Sequence, residues 1–411
     1  MCISTYHDYD SCDKLDAMPF PNLSQHLLVQ ILSKLDVKSL LRFRCVSKSW
    51  RSLISDPYFI KTHLNQSLAK SSSIQTPHNI LFISYPFRPY GLYTASFRSA
   101  DDNNIVVQKI DFLFQSSPGC QIRGCYIMGS CNGLICIEVE SLLIKSSKLK
   151  RDTYVFNLST RELRQIPDCD YYFPPCLHKI VGFGYDHCHD DYKLVNIDCD
   201  RIFVYSMRTD SWRVVEDFNN KMDFRVFPYG TQLNGAIHWL RIKNPNFTYK
   251  IAASRRMVDP KITYEIAAFR MVDEKLRMFP LPSTCANINF HKAPQVGVFE
   301  GCLCIVPPPG CDSALWVMKE YGVEQSWTRI DIKFPVVSDM LALLRNEALM
   351  DYTKLVLHNR INRDGTLVIW DGENEKDMFD FHATISVDSL LSPFMKMQGK
   401  ESNSSDTPEM N

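Results

Sequence analysis

The chain has no surplus of charge of either sign: 46 lysines and arginines stand against 46 aspartates and glutamates in 411 residues. Phosphate binding usually leaves a basic surplus, so this balance argues against a nucleic-acid-binding role for the whole protein. No run approaches the roughly 18 uninterrupted apolar residues of a membrane-spanning helix. The opening MCISTYHDYDSCDKLDAMPF lacks a basic stretch followed by an apolar one, so it does not read as a secretory signal. The 15 cysteines are therefore expected as reduced thiols, in the cytosol or the nucleus. No Cys-x-x-Cys pair occurs. The densest cluster of potential ligands, Asp186-His-Cys-His-Asp190, has no second ligand pair at zinc-like spacing and reads as a polar turn. Gly182-Phe-Gly184 lacks the third glycine and the following helix of a dinucleotide site. Paired carboxylates, a Ser–His–Asp order and a phosphate loop are not found either. The expectation is a protein with no cofactor, no metal and no catalytic residue.

Two kinds of periodicity are present. From about residue 19 to 70, after a flexible start over 1–18, apolar residues recur at helical spacing. Leu27, Leu28, Ile31, Leu32 and Leu35 fall on one helix face. Asn22 or Ser24 can cap this helix, and Asn22 with Gln25 fits a capping box. Asp36 offers a second cap, ahead of Val37, Leu40, Leu41 and Cys45. Ser47 offers a third, ahead of Trp50, Leu53 and Ile54. Asp56-Pro57 is a strong helix start, followed by Phe59, Ile60, His63 and Leu64. Such a unit is near the lower size limit for independent folding. It also has more apolar positions than so small a core needs, and an interface would absorb the surplus.

The stretch VKSLLRFRCVSKSWRSLI (37–54) mixes this apolar face with Lys38, Arg42, Arg44, Lys48 and Arg51, and no acid. Arg44 follows Leu40 by four residues and would lie on the apolar stripe of a continuous helix. Either the helix breaks near Ser47 or Arg44 sits at the rim of an interface with an acidic partner. Ser47 and Ser49 interrupt the face that a membrane-surface helix would need.

From about 78 to 388 the pattern becomes short runs rich in Val, Ile, Phe, Tyr and Trp, separated by turn residues, which is an all-β signature. The runs repeat. Phe156, Tyr205, Phe269, Met318 and Ile369 mark equivalent places, with offsets of 49, 64, 49 and 51. Leu92-Tyr-Thr-Ala-Ser96 resembles an earlier copy. A period of about 50 residues in an all-β chain indicates blades of a β-propeller, here about six. The long offset contains IAASRRMVD (251–259) and then IAAFRMVD (266–273), which reads as a short tandem duplication looped out between strands. Trp212, Trp239, Trp316, Trp327 and Trp370 are expected to pack in the blades. A helix is possible only near Asp339–Leu349. The polar end, from Ser389, is expected to be disordered.

The stretch LLVQILSKLDVKSLLRFRCVSKSWRSLISDPYFIKTHL (27–64) resembles an F-box. Downstream, GSCNGLICI, FNLSTRELRQIP, GFGYDHCHDDYKLV, LNGAIHWL and AAFRMVDEKLRMFPLP are similar, in order, to the F-box-associated, kelch-like domain of plant F-box proteins. The resemblance implies an α+β two-domain chain, a helical F-box followed by a propeller-like domain. It implies a substrate-recognition subunit of an SCF-type ubiquitin ligase. The F-box would dock on a Skp1-like adaptor and through it on a cullin, and the β domain would recruit an unidentified target protein, with neither nucleic acid nor membrane as partner. The adaptor-binding residues it implies are Leu23, Leu27, Leu28, Ile31, Leu32, Leu35, Val37, Leu40, Leu41, Arg44, Cys45, Val46 and Trp50. Three positions depart from the family pattern: Ser24 and Asp36 stand where prolines are usual, and Gln30 where an acid is usual. A scaffold or decoy that binds the adaptor weakly is the alternative these departures leave. Target contacts are expected from end loops such as Tyr171–Pro175, Asn219–Phe227 and Asn244–Phe247.

Overall fold

The computed structural model describes residues 24–71, 78–84, 91–97, 106–110, 119–169, 180–197, 201–217, 229–242, 264–282, 295–299, 301–306, 314–331 and 382–394. Four helices come first: α1 (Gln25–Leu32), α2 (Val37–Phe43), α3 (Lys48–Ile54) and α4 (Pro57–Ser71). Each begins where a side chain takes over an unsatisfied backbone donor. Ser24 Oγ accepts from Leu27 N–H at 3.3 Å, Asp36 Oδ1 from Ser39 N–H at 2.8 Å, and Ser47 Oγ from Trp50 N–H at 3.2 Å. Asp56 Oδ1 accepts from Tyr58 and Phe59 ahead of α4, whose first residue is Pro57. Of the two caps expected for α1, Ser24 is the one used. Asn22 lies outside the described residues.

Twenty strands follow, in five four-stranded antiparallel sheets among the described residues. The second sheet is β4 (Cys120–Cys131), β5 (Leu134–Leu143), β6 (Lys148–Asn157) and β7 (Leu163–Ile166). The third is β8 (Ile180–Asp186), β9 (Asp191–Ile197), β10 (Arg201–Ser206) and β11 (Ser211–Asp217). The fourth is β12 (Thr231–Leu233), β13 (Ala236–Ile242), β14 (Tyr264–Arg270) and β15 (Lys275–Pro280). The fifth is β16 (Gln295–Phe299), β17 (Cys302–Val306), β18 (Ala314–Met318) and β19 (Trp327–Asp331). The first sheet joins the two ends of the domain: β1 (His78–Ser84), β2 (Gly91–Phe97) and β3 (Val106–Lys109) take β20 (His382–Ser386) beside β1. First strands neighbour one another around the domain, β20 beside β4, β4 beside β8, β8 beside β12 and β12 beside β16. This is the propeller-like arrangement, with β20 filling the first-strand place of its blade.

The repeat marks fall where a propeller requires. Phe156, Tyr205, Phe269 and Met318 lie on β6, β10, β14 and β18, each the third strand of its sheet. Leu92–Ser96 lies on β2, again a third strand. The copy at Val368–Asp371, the helix near 339–349, the duplicated stretch at 251–259 and the three candidate target loops all lie outside the described residues. Blades pack closely enough that a Cβ on Gly182 would stand 2.4 Å from Ile237 Cγ2, so the Gly-x-Gly of β8 serves blade contact.

Charge is buried between the third and fourth sheets. Lys193, 5% exposed, donates to Asp186 at 2.6 Å, to the Met271 carbonyl at 2.8 Å and to Glu274 at 2.9 Å. Burial pushes the Asp186 carboxyl up, but hydrogen bonds from Lys193 and His189 outweigh it and hold the group below its usual range. The Asp186–Asp190 cluster is thus a polar turn that anchors a blade.

The polar tail expected from Ser389 starts later than the sequence suggests. Ser389, Leu390 and Leu391 are buried. Asn157 Nδ2 lies 3.0 Å from the Ser389 carbonyl and 2.8 Å from that of Leu391. The two leucines supply apolar area that a polar context conceals, and the Asn157 amide satisfies the backbone they carry inside. Leu390 and Leu391 belong to one continuous buried cluster with Leu28, Leu32, Leu40, Trp50, Ile54 and Phe59 of the helices and with Met128, Leu134, Phe183 and Leu194 of the second and third sheets. Lys61 of α4 pairs with Asp190 at the β8–β9 turn, where Tyr185 also donates to Asp190 at 2.5 Å. The helical unit and the propeller share a core.

Two outcomes follow from these contacts. Lys193→Ala takes the buried cation away from Asp186, which keeps His189, and from Glu274, which keeps Arg213, and should cost about 3 kcal/mol in denaturant unfolding. Arg213→Ala, removing the half-exposed partner of Glu274, should cost less than ~1 kcal/mol. His238 is buried, with Nδ1 3.1 Å from the Thr231 carbonyl and Nε2 2.8 Å from the Tyr321 hydroxyl. Burial pushes its pKa down to about 4. The unfolded chain therefore takes up the proton first, and stability falls as pH drops from about 6.5 towards about 4. A pH series of thermal unfolding should show His238→Gln less sensitive than wild type across that window.

Candidate functional site: the outer face of the helical unit

Adjacent apolar positions on α1 are about 100° apart, enough to put one inside and its neighbour at the surface. Leu28 and Leu32 are buried, whereas Leu27 and Ile31 are 47% and 51% exposed. The turn between α2 and α3 exposes Val46 at 57%, and Cys45 is exposed beside it. Leu35, Leu41 and Arg44 are half-buried. Val37, Leu40 and Trp50 are buried with Leu28 and Leu32. Phe43 meets Trp50 edge-on at 5.3 Å. Leu23 lies outside the described residues.

The residues named as adaptor-binding therefore divide. Leu28, Leu32, Val37, Leu40 and Trp50 are buried in the shared core and are not surface contacts in this conformation. The apolar surplus is absorbed on one side by the propeller and the C-terminal segment of the same chain. What remains outward is Leu27, Ile31, Cys45 and Val46, with Leu35, Leu41 and Arg44 at their margin.

Arg44 is the C-cap of α2, its N–H reaching the Leu40 carbonyl at 3.0 Å, and the helix ends there. The break before Ser47 removes Arg44 from any continuous apolar stripe. Lys38, Arg42, Lys48 and Arg51 are exposed. No ion pair joins them to an acid among the described residues. The outer face is apolar patches bordered by cations, suited to a protein surface with apolar pockets and an acidic margin.

The three departures are compatible with this geometry. Ser24 and Asp36 are helix caps, each with extended backbone at ψ 144° and 155°. The Ser39 N–H, then the Ser39 hydroxyl, hold the Asp36 carboxyl below its usual range. Gln30 is exposed and lies 3.0 Å from His26 Nε2. The sequence could not separate Leu27 from Leu28 or Ile31 from Leu32, since both pairs satisfy the same spacing. The one signal available was the presence of two apolar stripes where a single-sided helix needs one.

Comparison with known proteins places both regions. Residues 20–62 match the F-box domain model, and residues 86–397 match the F-box associated beta propeller domain. The chain is similar to the F-box protein CPR1 of Arabidopsis thaliana, 26% identical over 330 residues, covering 73% of this chain and 70% of that protein. It is also similar to an F-box/kelch-repeat protein of Arabidopsis thaliana, 26% identical over 337 residues, covering 78% of this chain and 81% of the other. With three quarters of its length matched by the propeller model alone, the chain belongs to the F-box proteins that carry an F-box associated β-propeller domain.

Proposed function

We propose that this protein is the substrate-recruiting subunit of an SCF-type ubiquitin ligase. The F-box docks on a Skp1-like adaptor, which connects it to a cullin, and the propeller presents a target protein for ubiquitination. Ubiquitin transfer belongs to other subunits, so in this reading the chain carries out no chemical step itself. It would act in the cytosol or the nucleus. The observation that carries the reading is the two-sided F-box. One apolar side is part of the core shared with the propeller, while Leu27, Ile31 and Val46 stay outside, bordered by cations that form no close ion pair among the described residues. The membership of both regions in one family supports the same division of labour.

A pull-down with a Skp1-like adaptor tests it. The full chain should bind. Leu27→Asp/Ile31→Asp should lose about 10- to 100-fold in affinity, because a charge facing an apolar contact costs about 1–3 kcal/mol, while the fold survives. Leu40→Asp should instead abolish folding, since Leu40 is fully buried. Failure of the folded wild type to bind would replace the ligase reading with a non-catalytic scaffold or decoy.

A further inference from the structure

The outer strand covers the third strand to different extents from sheet to sheet, and in the first sheet β3 pairs with β2 (Gly91–Phe97) only over Tyr93–Ser96. In the third and fifth sheets the outer strand covers the third strand along its whole length, and in the fourth along all but one residue. In the second sheet, β7 pairs with β6 only over Thr153–Phe156. Yet β6 and β5 stay in register to their tip, from Leu134↔Asn157 out to Leu143↔Lys148. The ladder ends at Ile166, the residue before Pro167. The Pro167 carbonyl accepts from Trp212 Nε1 at 2.8 Å, which ties this segment to β11, and the next residue, Asp168, acts electrostatically on Lys150. Among the described residues no strand pairs with the outer edge of Lys148–Asp152, five residues or about 16 Å of strand.

This edge has a chemistry. Lys148, Leu149, Lys150 and Arg151 are all exposed, Leu149 at 59%, and Ile144 beside the turn at 62%. Lys148 and Lys150 share one face of β6, and Leu149 and Arg151 the other. Lys150 is 2.7 Å from Asp152, and Arg151 is 2.9 Å from Glu140 on β5. Lys148 has no acidic partner among the described residues, nor has Lys145 in the turn. Pairing of two copies along this edge would set lysine against lysine, in the antiparallel register centred on Leu149 and in the parallel one alike, which is unfavourable. A strand carrying acids opposite Lys148 and Lys150, with an apolar residue opposite Leu149, meets complementary groups on both faces.

We propose that the outer edge of β6 over Lys148–Asp152 is a docking site for an extended segment of the recruited protein, in which acidic and apolar residues alternate and which joins the sheet as a further strand. Backbone hydrogen bonds along the edge would supply affinity, and the alternating side chains selectivity. The inference rests on the propeller being the recruiting half of the protein.

The test is selection of displayed random decapeptides on the immobilised full chain, followed by hydrogen exchange with a synthetic copy of the best binder. Wild type should enrich peptides that alternate Asp or Glu with apolar residues, and the binder should slow exchange of the Lys148–Asp152 amides. Lys148→Glu/Lys150→Glu should weaken that peptide at least tenfold and enrich basic peptides instead. Lys148→Glu alone disturbs no ion pair and should act in the same direction if the double variant fails to fold. The proposal is overturned if wild type enriches no binders, if its binders are not acidic or ignore the reversal, or if protection appears elsewhere. It is also overturned if sedimentation shows a dimer that itself protects these amides. Peptide binding at the edge by a chain that fails to bind the adaptor would leave the docking site standing and remove the ligase reading.

Discussion

The Asn157 side-chain amide fastens the segment after β20 to the second sheet, and the rest of the molecule depends on that attachment. It closes the propeller, because β20 has just completed the first sheet beside β1. It also delivers Leu390 and Leu391 into the buried cluster that the four helices share with the second and third sheets. The β4–β5 turn at Asn132-Gly133 is built around the same segment. Gly133 has φ +84°, and a Cβ there would stand 2.4 Å from the Val387 carbonyl oxygen. A left-handed turn residue and a close backbone approach coincide at one glycine, which few other residues could satisfy. The helical unit and the segment after β20 thus meet at one place, and a small helical unit with too little core of its own borrows the core of the propeller.

That shared core determines which face is left for a partner. A helix unit buried on one side by its own chain has only its other side to offer, and Leu27, Ile31 and Val46 are there. The Lys61–Asp190 pair and the Tyr185 hydroxyl fix α4 against the β8–β9 turn. The F-box and the propeller are then held at a set orientation, which suits the role proposed for them. The open edge of β6 belongs to the same logic. Beyond Ile166 no strand among the described residues pairs with Lys148–Asp152.

Much of the fold was legible because it rests on local chemistry. Asp36, Ser47 and Asp56-Pro57 have few roles other than starting helices, and each does so. The repeat marks at Phe156, Tyr205, Phe269 and Met318 could be aligned because every third strand buries an apolar residue there. What stayed hidden depends on contacts between distant segments. Nothing local distinguishes Leu27 from Leu28, and only the core assembled from the other helices and the propeller does. Leu390 and Leu391 sit in a polar stretch whose composition reads as disorder until Asn157, more than 200 residues away, supplies the partner.

The central claim is that helices and propeller form one cooperative unit through a common core. Native-state hydrogen exchange on the full chain tests it most directly, by comparing the opening free energies of amides in α4 with those in β9. The account predicts that both open together, and that Asn157→Ala lowers both by the same amount. Helical amides that open at a much lower free energy than β9, unchanged by Asn157→Ala, would contradict it.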